Sequence, residues 1–234
     1  MSIWIKICAN TSVEDAQLAA TLGAHAVGFV FAPSKRRVTV EQVAAIVPKL
    51  PPNLEKIGVF VDAPFEEIAA NVEACGLTGA QLHFDAPAKL ALQLRSRFGP
   101  GLRIVRTVHF AVGEPPPSLD AIPDDPNIDA ILVDSKTATA TGGTGQTFDW
   151  ELAATTLFQN ASARKRIIAA GGLTPENVAE AIRILKPWGV DVASGVEATP
   201  GRKDAARLRA FIENARAVGG QAASNSGSSG SRTA

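Results

Sequence analysis

Cysteine and histidine are scarce in this chain, and net charge is absent. Only Cys8 and Cys75 occur among 234 residues, far apart and without a C-x-x-C or related metal spacing. Such sparing use of cysteine fits a cytoplasmic, reducing setting. Three histidines, His25, His83 and His109, are too few for a multi-histidine metal site. Lys and Arg total 23 against 23 Asp and Glu, so no excess charge draws the chain to nucleic acid or to a membrane surface. No apolar run approaches membrane-spanning length, and the opening MSIWIKICAN lacks the charged start and long apolar stretch of a signal peptide. A nucleotide fingerprint, a carboxylate cluster for a metal and a Ser/His/Asp arrangement are also missing.

What is there is alternation. Short β-branched runs at 3–8, 26–31, 56–61, 79–84, 102–108, 129–135, 166–172 and 190–196 read as strands. Alanine-rich helical runs follow most of them. Ser12 or Thr11 is placed to cap the first helix, with Glu14 and Asp15 as capping-box partners and Gly23 as its stop. The segment GEPPPSLDAIPDDP after the fifth strand is too rich in proline for a full helix. Pro175 sits at the first turn of the helix after the seventh. Eight β/α units in so short a chain predict one (β/α)8 barrel over 1–218, in preference to a doubly wound open sheet. The low-complexity stretch 219–234 reads as a disordered tail.

In such barrels chemistry sits at the C-terminal ends of the strands. Those ends supply Cys8, the SKRR loop at 34–37, Asp62, His83, Arg106, Asp134, Gly171–Gly172 and Ser194–Gly195. Alternation along IWIKIC turns Ile3, Ile5 and Ile7 toward the helices, and Trp4, Lys6 and Cys8 inward. Cys8 is then either a small buried hydrophobe or a base, and a neighbouring ammonium such as Lys6 would favour its thiolate. Asp134, in ILVDS, is either a loop cap or an inward carboxyl suited to donating a proton. The two glycine turns, GG at 171–172 and SG at 194–195, lie where barrels commonly grip a phosphate. An arginine in SKRR belongs either to a solvated face or to an anion on a substrate. His83 is open to both a structural and a binding role. A possible base, a possible acid and a phosphate grip point to cofactor-free proton transfer on a small phosphorylated substrate.

The segments KICAN, GFVF…SKR, GVFV, QLH, LVDS, GGTGQTFDW, AAGGLTPENV and VDVASGVE…PGRKD occur in the order seen in phosphoribosylanthranilate isomerases. The chain resembles that family over nearly its whole length, the tail excepted. The resemblance implies an Amadori rearrangement in tryptophan biosynthesis, turning N-(5-phosphoribosyl)anthranilate into 1-(2-carboxyphenylamino)-1-deoxyribulose 5-phosphate. On the family pattern Cys8 matches the general base and Asp134 the general acid. Gly172, Ser194 and Gly195 match the phosphate site. Arg36 matches an arginine that meets the substrate, and His83 a histidine at the same mouth. No metal or cofactor is implied, and the family includes monomers and homodimers. A related aminoaldose isomerase of histidine biosynthesis resembles a carboxylate-for-cysteine version, against which Cys8 speaks. An idle barrel that only binds a phosphorylated metabolite is opposed by the Cys8/Asp134 pair.

Two positions depart from the family pattern, which usually has glycine after the base cysteine and after QLH. Here Ala9 and Phe84 stand there. Ala9 is strained if its φ is positive, and Phe84 either narrows the pocket or packs outward.

The glycine-rich run from Gly142 is placed to fold over a substrate beside Asp134, with Phe148 and Trp150 anchoring its far end. Replacing both Gly142 and Gly143 with alanine should then lower turnover more than stability. Equal losses in steady-state rate and in urea midpoint would mark a structural turn instead.

Overall fold

A computed structural model describes residues 2–83, 87–111, 122, 124–136, 149–158 and 166–224; for 88, 110, 111, 135, 136 and 219–224 it describes the backbone alone. Phe84, the proline-rich segment from 112 to 121, the glycine-rich run at 142–148 and the final stretch 225–234 lie outside the described residues.

Eight parallel strands close on themselves in sequence order: β1 Trp4–Ile7, β2 Ala26–Val30, β3 Glu55–Phe60, β4 Gly79–Leu82, β5 Arg103–Ala111, β6 Ala130–Lys136, β7 Arg166–Ala169 and β8 Gly189–Val192. The seam is the β1–β8 pairing, which sets Lys6 opposite Asp191 and Ile7 opposite Val192. The helices are α1 Val13–Leu22, α2 Val40–Ile46, α3 Phe65–Cys75, α4 Ala88–Phe98, α5 Trp150–Ala153, α6 Val178–Leu185 and α7 Ala205–Ser224. A small antiparallel hairpin, β9 Glu197–Thr199 with β10 Arg202–Lys203, follows β8. No described helix is long and apolar enough to cross a membrane.

Strand alternation sorts the apolar residues into two separate cores. Ile5, Ile7, Ile104, Ile131, Val133, Ile167 and Val190 face outward and pack with the helices. Trp4, Ala26, Ile57, Val105, Ala130, Leu132, Ile168 and Ala170 fill the barrel itself. Below them, at the N-terminal end of the strands, Trp4 stacks on Trp188 with ring centroids 5.0 Å apart. The guanidinium carbons of Arg103 and Arg166 lie 5.4 and 5.0 Å from the Trp188 ring.

The helix ends follow their sequence signals with two exceptions. Ser12 caps α1 by accepting from the Asp15 N–H at 3.2 Å, and Gly23 closes it in the left-handed region at φ 91°. Asp15 does not complete a capping box: its carboxylate accepts from the Lys203 backbone N–H at 3.1 Å. The helix after β7 begins at Val178, three residues past Pro175, and Thr174 opens a preceding turn, its carbonyl accepting from the Asn177 and Val178 N–H groups. Asn177 braces that turn, accepting from the Thr174 N–H at 2.8 Å and donating to the Gly172 carbonyl at 3.0 Å. The backbone of α7 continues to Ser224.

Ala9 has φ 60°, so the residue that replaces the family glycine does occupy the left-handed region. Its neighbours hold it there. The Cys8 N–H donates to the Val192 carbonyl at 2.8 Å, and the Asn10 N–H to the Gly28 carbonyl at 2.9 Å. A left-handed alanine costs about 1–2 kcal/mol, and the extra freedom of an unfolded glycine returns about 0.5–1 kcal/mol of that. Ala9→Gly should therefore stabilise the protein by about 0.5–1 kcal/mol, read from the urea midpoint.

Candidate active site

Cys8 follows the last residue of β1 and is 7% exposed. Directly beneath it is Lys6, 1% exposed, whose ammonium donates to Gln81 Oε1 at 2.9 Å and to Asp191 Oδ1 at 3.0 Å. Gln81 in turn donates to Thr107 Oγ1 at 3.1 Å. A polar layer thus sits above the apolar barrel core, fully paired as a buried polar group must be. Burial pushes the Cys8 thiol above its ordinary range. The charges of Lys6 and Lys203 pull it back, and that of Asp191 adds to the rise. Burial alone would lower Lys6, but Asp191 and Cys8 outweigh it and the ammonium stays charged.

A second buried network closes over the Cys8 backbone. Lys203 Nζ donates to the Cys8 carbonyl at 2.6 Å, to the Ala193 carbonyl at 3.2 Å and to Glu197 Oε1 at 3.3 Å. Glu197 also takes a fork of bonds from Arg36, Nε at 3.0 Å to both oxygens and Nη2 at 2.7 Å. Burial works to raise Glu197, but the hydrogen bonds of Arg36 and the charges of Lys203 and Arg36 reverse it and hold the carboxyl below its usual value. Lys203 is drawn down by burial, with Glu197 opposing.

On the far strands Asp134 is half-buried at an inward position of β6, register-paired with His109 of β5. His109 Nδ1 lies 3.7 Å from Asp134 Oδ2, and His109 Nε2 lies 2.9 Å from His83 Nδ1. His83, immediately after β4, therefore reaches Asp134 through a second histidine.

Between the loops after β7 and β8 is a cavity of about 180 Å³, lined by Gly172, Leu173, Thr174, Glu176, Ser194, Gly195 and Arg207. Gly171 and Gly172 both take positive φ, 82° and 66°. A Cβ at Gly195 would overlap the Leu173 carbonyl oxygen, so the two loops can approach only with glycine there. Arg207 gives the cavity a cation, and the Glu176 carboxylate is engaged by the Thr174 side chain. The result is a small hollow with backbone on two sides and a guanidinium at its edge, suited to a phosphate.

The family model described as N-(5'-phosphoribosyl)anthranilate (PRA) isomerase matches residues 5–214. The chain belongs to this family. It is 43% identical over 215 residues to the N-(5'-phosphoribosyl)anthranilate isomerase of Pelobacter propionicus, covering 92% of this chain and 96% of that one. The crystal structure of phosphoribosyl anthranilate isomerase from Thermotoga maritima is similar with a TM-score of 0.78 at 35% identity, covering 92% of this chain and 99% of that one. A phosphoribosyl anthranilate isomerase in complex with reduced 1-(o-carboxyphenylamino)-1-deoxyribulose 5-phosphate is similar with a TM-score of 0.75 at 32% identity, with the same coverage.

Within this isomerase barrel the shortlisted residues fall into three groups. Cys8 and Arg36 share the clamp around Glu197 and Lys203. Asp134 and His83 are joined by His109. Gly172, Ser194 and Gly195 line one cavity. Two shortlisted strand ends fall elsewhere. Arg106 points away from the barrel interior, 3.5 Å from Asp125, because alternation along β5 turns Val105, Thr107 and His109 inward and Arg106 outward. Asp62 is exposed, with φ 53°. The sequence reading missed His109, Asp191, Glu197 and Lys203. Asp191 was within reach of the alternation rule, since VDV puts it inward as IWIKIC does Lys6. Glu197 and Lys203 stood in the motif VE…PGRKD without a local reason for their roles.

Removing Glu197 leaves the buried Lys203 and the half-buried Arg36 without their carboxylate. Glu197→Ala should cost about 3–5 kcal/mol in urea unfolding at pH 7. The depressed carboxyl also fixes a pH sign. Its stabilisation is full above the unfolded Glu value of about 4.3 and is lost as pH falls through the lower folded value. Wild type should therefore lose more stability than Glu197→Gln between pH 5 and pH 2, on the order of what an ion pair contributes.

Proposed function

We propose that this chain carries out the rearrangement of N-(5-phosphoribosyl)anthranilate with Asp134 as general acid and Cys8 as general base, in tryptophan biosynthesis. Asp134 donates its proton to the ring oxygen, the C1–O bond breaks, and the nitrogen lone pair forms the C1=N bond of a protonated Schiff base. The Cys8 thiolate takes the proton from carbon 2, and the electron pair moves through C1=C2 to neutralise nitrogen, giving an enolamine. Protonation at carbon 1 and loss of the proton from the oxygen on carbon 2 complete the ketone. No atom is gained or lost overall, so two side chains that exchange protons suffice.

The phosphate is held in the hollow between Gly172 and Gly195, where Arg207 supplies charge. Arg36, oriented by Glu197, is left to meet the substrate carboxylate with its remaining N–H groups. His83 borders the same mouth. The observation that carries this reading is the reach of a single ammonium. Lys203 bonds the carbonyls of Cys8 and Ala193, so the proposed base and the residue preceding Ser194 are tied to one point. A reacting carbon and a phosphate a few bonds away need such a fixed spacing.

Loss of substrate fluorescence on adding the protein measures the reaction. Cys8→Ala and Asp134→Asn should each lower kcat by about 10²–10⁴-fold while substrate binding persists. Retained turnover in either variant would overturn its assigned role, and binding without turnover in wild type would make this an idle barrel.

A further inference from the structure

The assignment of Cys8 as base carries a difficulty. A buried thiol resists ionisation, and here burial is the largest influence on it. The surroundings answer that difficulty from below. Gly28 of β2 packs against both side chains: a Cβ there would lie 2.7 Å from Cys8 Sγ and 3.0 Å from Lys6 Cε. The thiol and the carbon bearing the ammonium thus share one glycine-sized patch of the barrel wall.

We propose that Lys6 is a positioning residue for the reaction: its ammonium, fixed by Asp191 and Gln81 under Cys8, stabilises the Cys8 thiolate. This rests on the reading of Cys8 as the base. The charged groups around the thiol support it. From β1 comes Lys6, from β8 Asp191, from the loop after β2 Arg36, and from the hairpin Glu197 and Lys203. Gly28 of β2 and Gln81 of β4 add no charge, and Arg202 is paired with Asp15 at 3.2 Å. Three cations face two carboxylates, and a thiolate makes the cluster neutral. Lys203 is buried as deeply but is held at two carbonyls and Glu197; Lys6 is the buried cation that β1 places directly beneath the thiol. Its side chain is 1% exposed and both its anchors come from other strands. Asp191 has a double effect, since it keeps Lys6 protonated while raising the cost of the thiolate. Gln81, an uncharged anchor, holds the ammonium without that cost.

The test is the rate of Cys8 alkylation by iodoacetamide from pH 7 to pH 10, followed on the Cys8 peptide by mass spectrometry so that Cys75 does not contribute. Lys6→Met and Lys6→Gln remove the charge; Lys6→Arg keeps it. Far-UV circular dichroism identifies the variants that fold, and glutamine preserves a hydrogen bond to Asp191 where methionine disrupts the barrel. Below the thiol midpoint, alkylation in the neutral variants should be about tenfold slower than wild type, equal to one pH unit in the midpoint, with arginine recovering most of the rate. The acid limb of the kcat/KM profile should move to higher pH in the same variants. An unchanged alkylation profile in a folded neutral variant would overturn the proposal, as would an arginine variant that titrates like the neutral ones. The alkylation readout needs no turnover. A failed role for Cys8 in catalysis would appear separately, as activity surviving in Cys8→Ala.

Discussion

The seam where β1 meets β8 is the constraint on which the site depends. Closing the barrel puts Lys6 directly across from Asp191. An unpaired lysine at that depth would be costly, and so would an unpaired aspartate. Only closure supplies each with the other. The same seam ends two residues later in Cys8, whose N–H bonds to the Val192 carbonyl at 2.8 Å. Fold and chemistry are therefore coupled at one place: whatever loosens β1 from β8 strips the thiol of its neighbours as it opens the barrel.

Above the seam the protein builds with paired charges in place of packed hydrocarbon. Glu197 is shared by Arg36 and Lys203, and Lys203 spends its remaining donors on two carbonyls. Such networks are no better for stability than apolar packing of the same volume. Their return is position. Arg36 is locked by three bonds to one carboxylate, and the left-handed Ala9 is held between Cys8 and Asn10 despite its conformational cost. Strain of this kind persists only where surrounding bonds over-determine it.

The barrel was legible in the sequence because a period of two in each strand and a turn signal after each helix are local facts. IWIKIC already separates the isoleucines from Trp4, Lys6 and Cys8, and the two cores keep that separation. Glycine turns at the ends of β7 and β8 marked the cavity for the same reason, since a close backbone approach needs glycine wherever it occurs. Partners were not legible. Nothing in VDV names Lys6 as the counterion of Asp191, and nothing in PGRKD says that its lysine reaches back to the Cys8 carbonyl. Arg106 was misplaced because alternation between inward Val105 and Thr107 turns it outward. His109 was hidden by a strand end drawn three residues short of Ala111.

The lower end of the barrel has a consequence of its own. Trp4 and Trp188 lie over one another there, flanked by Arg103 and Arg166, and Ile57, Leu132 and Ile168 fill the space above. That end is corked. Among the described residues that leaves the opposite end of the strands for traffic to the thiol, so entry and departure share one side of the barrel.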